Sequence, residues 1–165
     1  MVKVAMHEEI LRILDDNDRI DPATIATMLD ASEEEVRATI DELEKSGAIV
    51  KYHAVINWEK VDKNLVQALI DVKVSPQRDV GFDQIAERIY RFPEVKSVYL
   101  MSGAYDLSVA VEGRSLKEVA DFVATKLATI DHVLSTTTHF ILRTYKEEGV
   151  ILDDKSEVKR LVVSP

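Results

Sequence analysis

The stretch from Ser97 to Val111, SVYLMSGAYDLSVAV, constrains this chain more than any other. Small and apolar residues alternate up to Met101, Ser102-Gly103 interrupts them, and alternation resumes from Tyr105 to Val111. A period of two is that of a half-buried strand, and a glycine in the break permits positive φ, so the stretch reads as two antiparallel strands joined by a tight turn. The turn also carries chemistry. Backbone N–H groups around Gly103, the Tyr105 hydroxyl and the Asp106 carboxylate form a mixed donor and acceptor set that suits a small zwitterion. On spacing alone, the same residues would serve equally well to shape and cap a turn.

The flanking sequence gives the hairpin its setting. Leu65 to Val74 is an aliphatic strand ended by Ser75-Pro76, and Phe82, Ile85, Ala86, Ile89 and Tyr90 form a helical stripe that stops before Phe92-Pro93. After the hairpin, Leu116, Val119, Ala120, Val123 and Leu127 form a second stripe, and Val133 to Lys146 returns to strand chemistry. Strand, helix, strand, strand, helix, strand is the ferredoxin-like order, an antiparallel sheet with two helices on one face. The other face needs a cover, and a second copy of the chain is the economical one. The tail from Gly149 to Pro165 holds two short apolar runs, Val150 to Leu152 and Leu161 to Val163, which suit an added edge strand or an exchange with a partner.

The first third of the chain is helical. Ile10, Leu11, Ile13 and Leu14 mark a helix over 7–17, and Asp21-Pro22 supplies an N-cap followed by proline at the first position of a second helix. Ser32 and Glu35 make a capping-box pattern for a third helix over 33–46, whose Val36, Ile40 and Leu43 form one stripe before Gly47. Two short helices joined by a tight turn, followed by an extended stretch over 48–56, match a helix-turn-helix with a wing. The chain therefore divides into a winged helix-turn-helix over 1–56, a linker over 57–64, a ferredoxin-like unit over 65–148 and a tail over 149–165, an α+β class.

Composition removes several functions. With no cysteine there is no disulfide framework, thiolate metal site or cysteine nucleophile. His7, His53, His132 and His139 lack metal-ligand spacing, and no Ser-His-Asp or paired-carboxylate arrangement stands out, so neither a metal, a cofactor nor an enzymatic activity is expected. No apolar run approaches the length of a membrane span, and the expected location is the cytoplasm.

The exit from the third helix, Leu43-Glu44-Lys45-Ser46-Gly47-Ala48-Ile49-Val50-Lys51-Tyr52-His53-Ala54, followed by Ser102-Gly103-Ala104-Tyr105-Asp106, resembles the Lrp/AsnC family of transcription regulators over residues 6–146. The resemblance implies a winged helix-turn-helix that binds double-stranded DNA and a RAM-type domain that binds an amino acid or similar small effector between subunits. It also implies homodimers that assemble into tetramers or octamers. DNA-contacting positions would be Ser32, Glu33, Arg37, Ala38, Thr39, Lys45 and Lys51. Effector-contacting positions would be Met101, Ser102, Gly103, Ala104, Tyr105 and Asp106, with Thr136 and Thr138 of the run Thr136 to Thr138 lining the same pocket.

The chain departs from that family twice. Where members carry a run of arginines along the recognition helix, this chain keeps Arg37 among Glu33, Glu34, Asp41 and Glu42. Residues 1–56 hold six cations against thirteen acids, which accounts for -7 of the chain's net charge of -9. Such a face predicts weak non-specific DNA binding, and it opens the alternative of a sensor or protein-interaction module with weakened DNA affinity. The second departure is His132, which stands where the family commonly has glycine. Proteins that decarboxylate sirohaem share the two-domain layout but carry a histidine-rich segment where this chain reads Leu100 to Tyr105.

Overall fold

A computed structural model describes residues 2–62, 64–75 and 81–152, and it divides the chain into two compact units at Val55/Ile56. The first unit holds α1 (Val2–Asp16), α2 (Pro22–Leu29) and α3 (Glu33–Lys45). Ile10, Ile25, Ala26, Val36 and Leu43 form its buried centre. Each helix after the first opens on a side-chain cap. Asp21 accepts from the Thr24 N–H at 3.0 Å with Pro22 behind it, and Ser32 Oγ accepts from the Glu35 N–H while a Glu35 carboxylate oxygen accepts from the Ser32 N–H at 3.1 Å. The sharp link between α2 and α3 is made by Asp30 in the left-handed region, at φ 52°. At the other end of α3, Gly47 takes φ 76° and the Ile49 N–H donates to the Leu43 carbonyl, which closes the helix.

The extended wing expected over 48–56 does not form a strand. None of the described residues of this unit forms a strand with which it could pair, and Val50 is 88% exposed. An isolated strand leaves its backbone groups to water, so the segment follows a coil path held at its start by α3.

The second unit contains the four-stranded antiparallel sheet in the order β2-β3-β1-β4, from β1 (Val66–Val74), β2 (Val95–Leu100), β3 (Leu107–Gly113) and β4 (Val133–Phe140). Helices α5 (Phe82–Tyr90) and α6 (Leu116–Phe122) cover one face, and α6 runs on as a π-helical turn over Val123–Leu127. The linker contributes one turn of helix, α4 (Trp58–Val61). Ala68, Ile70 and Val72 pair across β1 and β3 with Val111, Val109 and Leu107, and these side chains meet Ile85, Ile89, Val119, Phe122 and Leu127 in a dry core. This is the ferredoxin-like fold.

The last strand is shorter than its composition suggests: β4 ends at Phe140 rather than continuing to Lys146. The chain turns away there, and Lys146–Glu147 (β5) pairs with Val150–Ile151 (β6) through Glu148 and Gly149, both at positive φ as a two-residue hairpin loop demands. The expected edge strand from the start of the tail is thus a small hairpin of its own. The run Leu161 to Val163 lies outside the described residues. Among the described residues, no helix is long and apolar enough to cross a membrane.

Candidate functional site

Strand alternation sorts the residues of the second unit into a covered and an open face. With Ile70 and Val72 buried, Leu69, Asp71 and Lys73 face the open side, and the register places His139, Thr137 and Ser135 directly beside them. Leu69 on β1 and Tyr99 on β2 are 41% and 57% exposed, so this face combines apolar and polar groups.

The loop between β2 and β3 closes over one end of that face. It is six residues long, Met101 to Asp106, and therefore broader than the tight turn expected from the sequence. The Met101 N–H donates to the Asp106 carbonyl at 2.8 Å, and the Asp106 N–H donates to the Val72 carbonyl at 3.0 Å. Spread over six residues, the reversal leaves Gly103 outside the positive-φ region. Nothing lies within 4 Å of the position where a Gly103 Cβ would be, so the glycine leaves the loop surface open.

Two side chains tie the loop to the sheet. Asp106 accepts from the Val74 N–H at 2.9 Å and from Lys73 Nζ at 3.4 Å. The backbone N–H of Val74 first, and then the Lys73 ammonium, hold its carboxyl below the ordinary carboxylate value. The Tyr105 hydroxyl lies 2.8 Å from Thr137 Oγ1. One step along, His139 Nε2 lies 3.1 Å from an Asp71 carboxylate oxygen. Lys73, Asp106, Tyr105, Thr137, Asp71 and His139 therefore form a run of paired charges and hydroxyls at the edge of the exposed Met101, Ser102, Gly103 and Ala104.

This arrangement corrects the sequence reading at the last strand. Thr136 and Thr138 pair with Val72 and Ile70, which puts them on the helix-covered face, whereas Thr137 meets Tyr105 on the open one. A period of two cannot place all three threonines on one side. Thr137 is the member of the expected run that meets the loop, and Lys73, Asp71 and His139 are the neighbours that the sequence alone does not single out. The signal that could have found them is the pairing of first and last strands inherent in this topology. A cavity of about 310 Å³ lies at the far end of β1, beside Trp58, Leu65, Gln67, Ile141 and Arg143, and it contains none of the expected site residues.

In the first unit, α3 presents Glu33, Glu34, Arg37, Ala38, Asp41 and Lys45 to solvent. Thr39, expected among the DNA contacts, is instead 3% exposed and donates its hydroxyl to the Glu35 carbonyl at 2.8 Å, because it sits on the Val36 and Leu43 side of the helix. Ser32 is occupied as the cap. Its hydroxyl and its N–H, the latter first in effect, hold the Glu35 carboxyl below the ordinary value. Arg37 is engaged by Glu33, with Nε at 2.8 Å and Nη2 at 2.6 Å from one carboxylate oxygen. The Tyr52 hydroxyl donates to Glu44 at 2.9 Å, which links the segment carrying Lys51 back to the recognition helix. Burial, then the Glu44 carboxylate, pushes the Tyr52 phenol up to about 12.

The family model described as the Lrp/AsnC ligand binding domain matches residues 67–151. The chain is 57% identical over 158 residues to an uncharacterised HTH-type transcriptional regulator, YugG of Bacillus subtilis, with 95% of each chain covered. Among solved structures it is similar to Escherichia coli AsnC, with a TM-score of 0.68 at 20% identity over 87% of this chain and 94% of that one. It is likewise similar to the transcriptional regulator NMB0573 of Neisseria meningitidis in complex with L-Met, with a TM-score of 0.69 at 22% identity over 86% and 91%.

Proposed function

The chain belongs to the Lrp/AsnC family of transcription regulators, and we propose that its DNA binding is gated by an amino acid or close analogue received at the Met101–Asp106 loop. The observation that carries this reading is the loop's anchorage. Asp106 and Tyr105 fasten it to β1 and β4, and the exposed stretch from Ser102 to Ala104 is left open to meet a ligand. A zwitterion needs N–H donors for its carboxylate and acceptors for its ammonium, and that edge offers both. The L-Met complex of NMB0573, a protein of the same fold, supports the chemical class.

The open face of the sheet supports assembly through a second copy. It carries Leu69, Tyr99 and Ala110 in a band that water covers in the single chain, and burying such a band is favourable at roughly 25 cal/mol per Å² of apolar surface. Because the loop borders that face, a ligand held there stabilises some assemblies over others. It thereby changes which spacing of DNA half-sites the helix-turn-helix units can reach together. Lys45, Lys51 and Arg37 are the cations that would meet DNA, and the α3 N-terminus capped by Ser32 would approach the backbone. Sedimentation and thermal unfolding with a panel of amino acids test the gating. A compound that changes assembly or stability is the expected result, and a panel with no effect on assembly, stability or DNA binding refutes it.

A further inference from the structure

Arg37 is the one guanidinium on α3, and its neighbourhood is unusual for a residue expected to grip phosphate. Glu33 lies one turn before it, and a single oxygen of the Glu33 carboxylate accepts from both Nε and Nη2. Both side chains remain solvent-accessible, at 61% and 48%. A guanidinium has five N–H donors in a plane, so this contact uses two and fixes the orientation of the rest. The second Glu33 oxygen has no hydrogen-bond partner among the described residues. A cation held this close to a carboxylate is a poor phosphate clamp, since the adjacent negative charge opposes the phosphate's approach. The same pair is well suited to a base edge, where directed donors and acceptors count for more than net charge.

The position on the helix is the relevant one. Glu33 is the first residue of α3 and Arg37 the fifth, and residues near the N-terminus of a recognition helix are those that meet base edges in the major groove. Arginine donates to guanine O6 and N7, and a carboxylate accepts from cytosine N4. In a G·C pair, O6 and N4 are themselves hydrogen-bonded neighbours. Two side chains already in contact therefore match two base atoms already in contact.

We infer that Glu33 and Arg37 act as one specificity-determining unit that reads a single G·C pair in each half-site, Arg37 donating to the guanine and Glu33 accepting from the cytosine amine. The unit rests on the reading of α3 as the recognition helix. The acidity of the helix then has a use, because a carboxylate beside the arginine narrows base choice while weakening attachment to arbitrary DNA.

Selection from a random-duplex library, with the full-length protein and its Glu33→Ala, Glu33→Gln, Arg37→Ala and Arg37→Lys variants, tests it. The wild type should enrich a half-site with one dominant G·C position. Both Glu33 variants should lower the preference at that position by about tenfold, the Arg37 variants should abolish it, and the other positions should keep theirs. Lysine should not rescue Arg37, because it lacks the planar fork. A wild-type selection that enriches no sequence overturns both the recognition-helix reading and the unit. An enriched site whose base preferences are unchanged in the Glu33 variants overturns the unit alone. So do Glu33 variants that bind every sequence more tightly with a steeper salt dependence, since Arg37 would then be a phosphate contact that Glu33 merely suppresses.

Discussion

Raising the salt concentration should weaken binding to arbitrary DNA far less than it does for a basic helix-turn-helix protein. On α3 and the segment that follows it, Arg37 is held by Glu33, while Lys45 and Lys51 have no ion pair among the described residues; of the cations before α3, Arg12 sits 3.9 Å from Glu8 and Arg19 lies in the turn between α1 and α2, away from the recognition helix in sequence. Two lysines per copy make four phosphate contacts per dimer, and log K falls with log salt at about 0.9 per phosphate, a slope of roughly -3.6. A rise from about 50 to about 200 mM salt then costs roughly 150-fold in affinity. If Arg19 and Arg37 also met phosphate, the slope would approach about -7 and the loss over the same range about 2 × 10⁴-fold. Fluorescence anisotropy with a long random duplex, titrated at several salt concentrations, gives the slope. A value near the steeper figure, with tight binding at physiological salt, would refute both the assignment of Arg37 and the weak-attachment argument.

Ser32→Ala removes the hydroxyl that accepts from the Glu35 N–H and donates to the Glu35 carboxylate, leaves the backbone N–H of residue 32 on that carboxylate, and should destabilise the helical unit by about 1 kcal/mol, read as a lower urea midpoint with unchanged slope. His132 sits at φ 73°, where an L side chain is strained, so His132→Gly should raise stability by about 0.5–1 kcal/mol despite glycine's greater unfolded-state entropy; a destabilised variant would show that the histidine holds a compensating contact. Asp106 has its carboxyl lowered in the folded chain, so its contribution is complete above its ordinary value of 3.8 and is lost as the pH falls through the lower folded value. The stability gap between wild type and Asp106→Asn should therefore be present near neutral pH and close in acid, and a gap independent of pH would remove the carboxylate from the loop's anchorage.

What the sequence made legible was mostly what periodicity and capping control. The stripe Val36, Ile40, Leu43 and the Ser32–Glu35 box place α3 to within a residue of its end, and the alternation on either side of Ser102-Gly103 locates β2 and β3. Features decided by a distant partner were harder to read. The segment after Gly47 has strand-like composition but no strand to pair with, and Val133 onward stops as a strand at Phe140 because the ladder with β1 ends there. The loop site shows the same division. Tyr105 and Asp106 are conspicuous in sequence, whereas Thr137 and Lys73 become their partners only once β1 lies between β3 and β4. Thr39 departs from expectation for a simpler reason: its hydroxyl suits a DNA contact, but its angular position on α3 is shared with the buried stripe.

Gating is tested most directly by the affinity of the full-length protein for its selected duplex, measured with and without a mixture of amino acids, alongside Tyr105→Phe. At least one amino acid should shift the dissociation constant by about fivefold or more, the lower end of typical coupling between sites. Tyr105→Phe, which loses the contact with Thr137, should reduce that shift while leaving the affinity without ligand in place. Identical binding curves with and without every amino acid would contradict gating at the Met101–Asp106 loop.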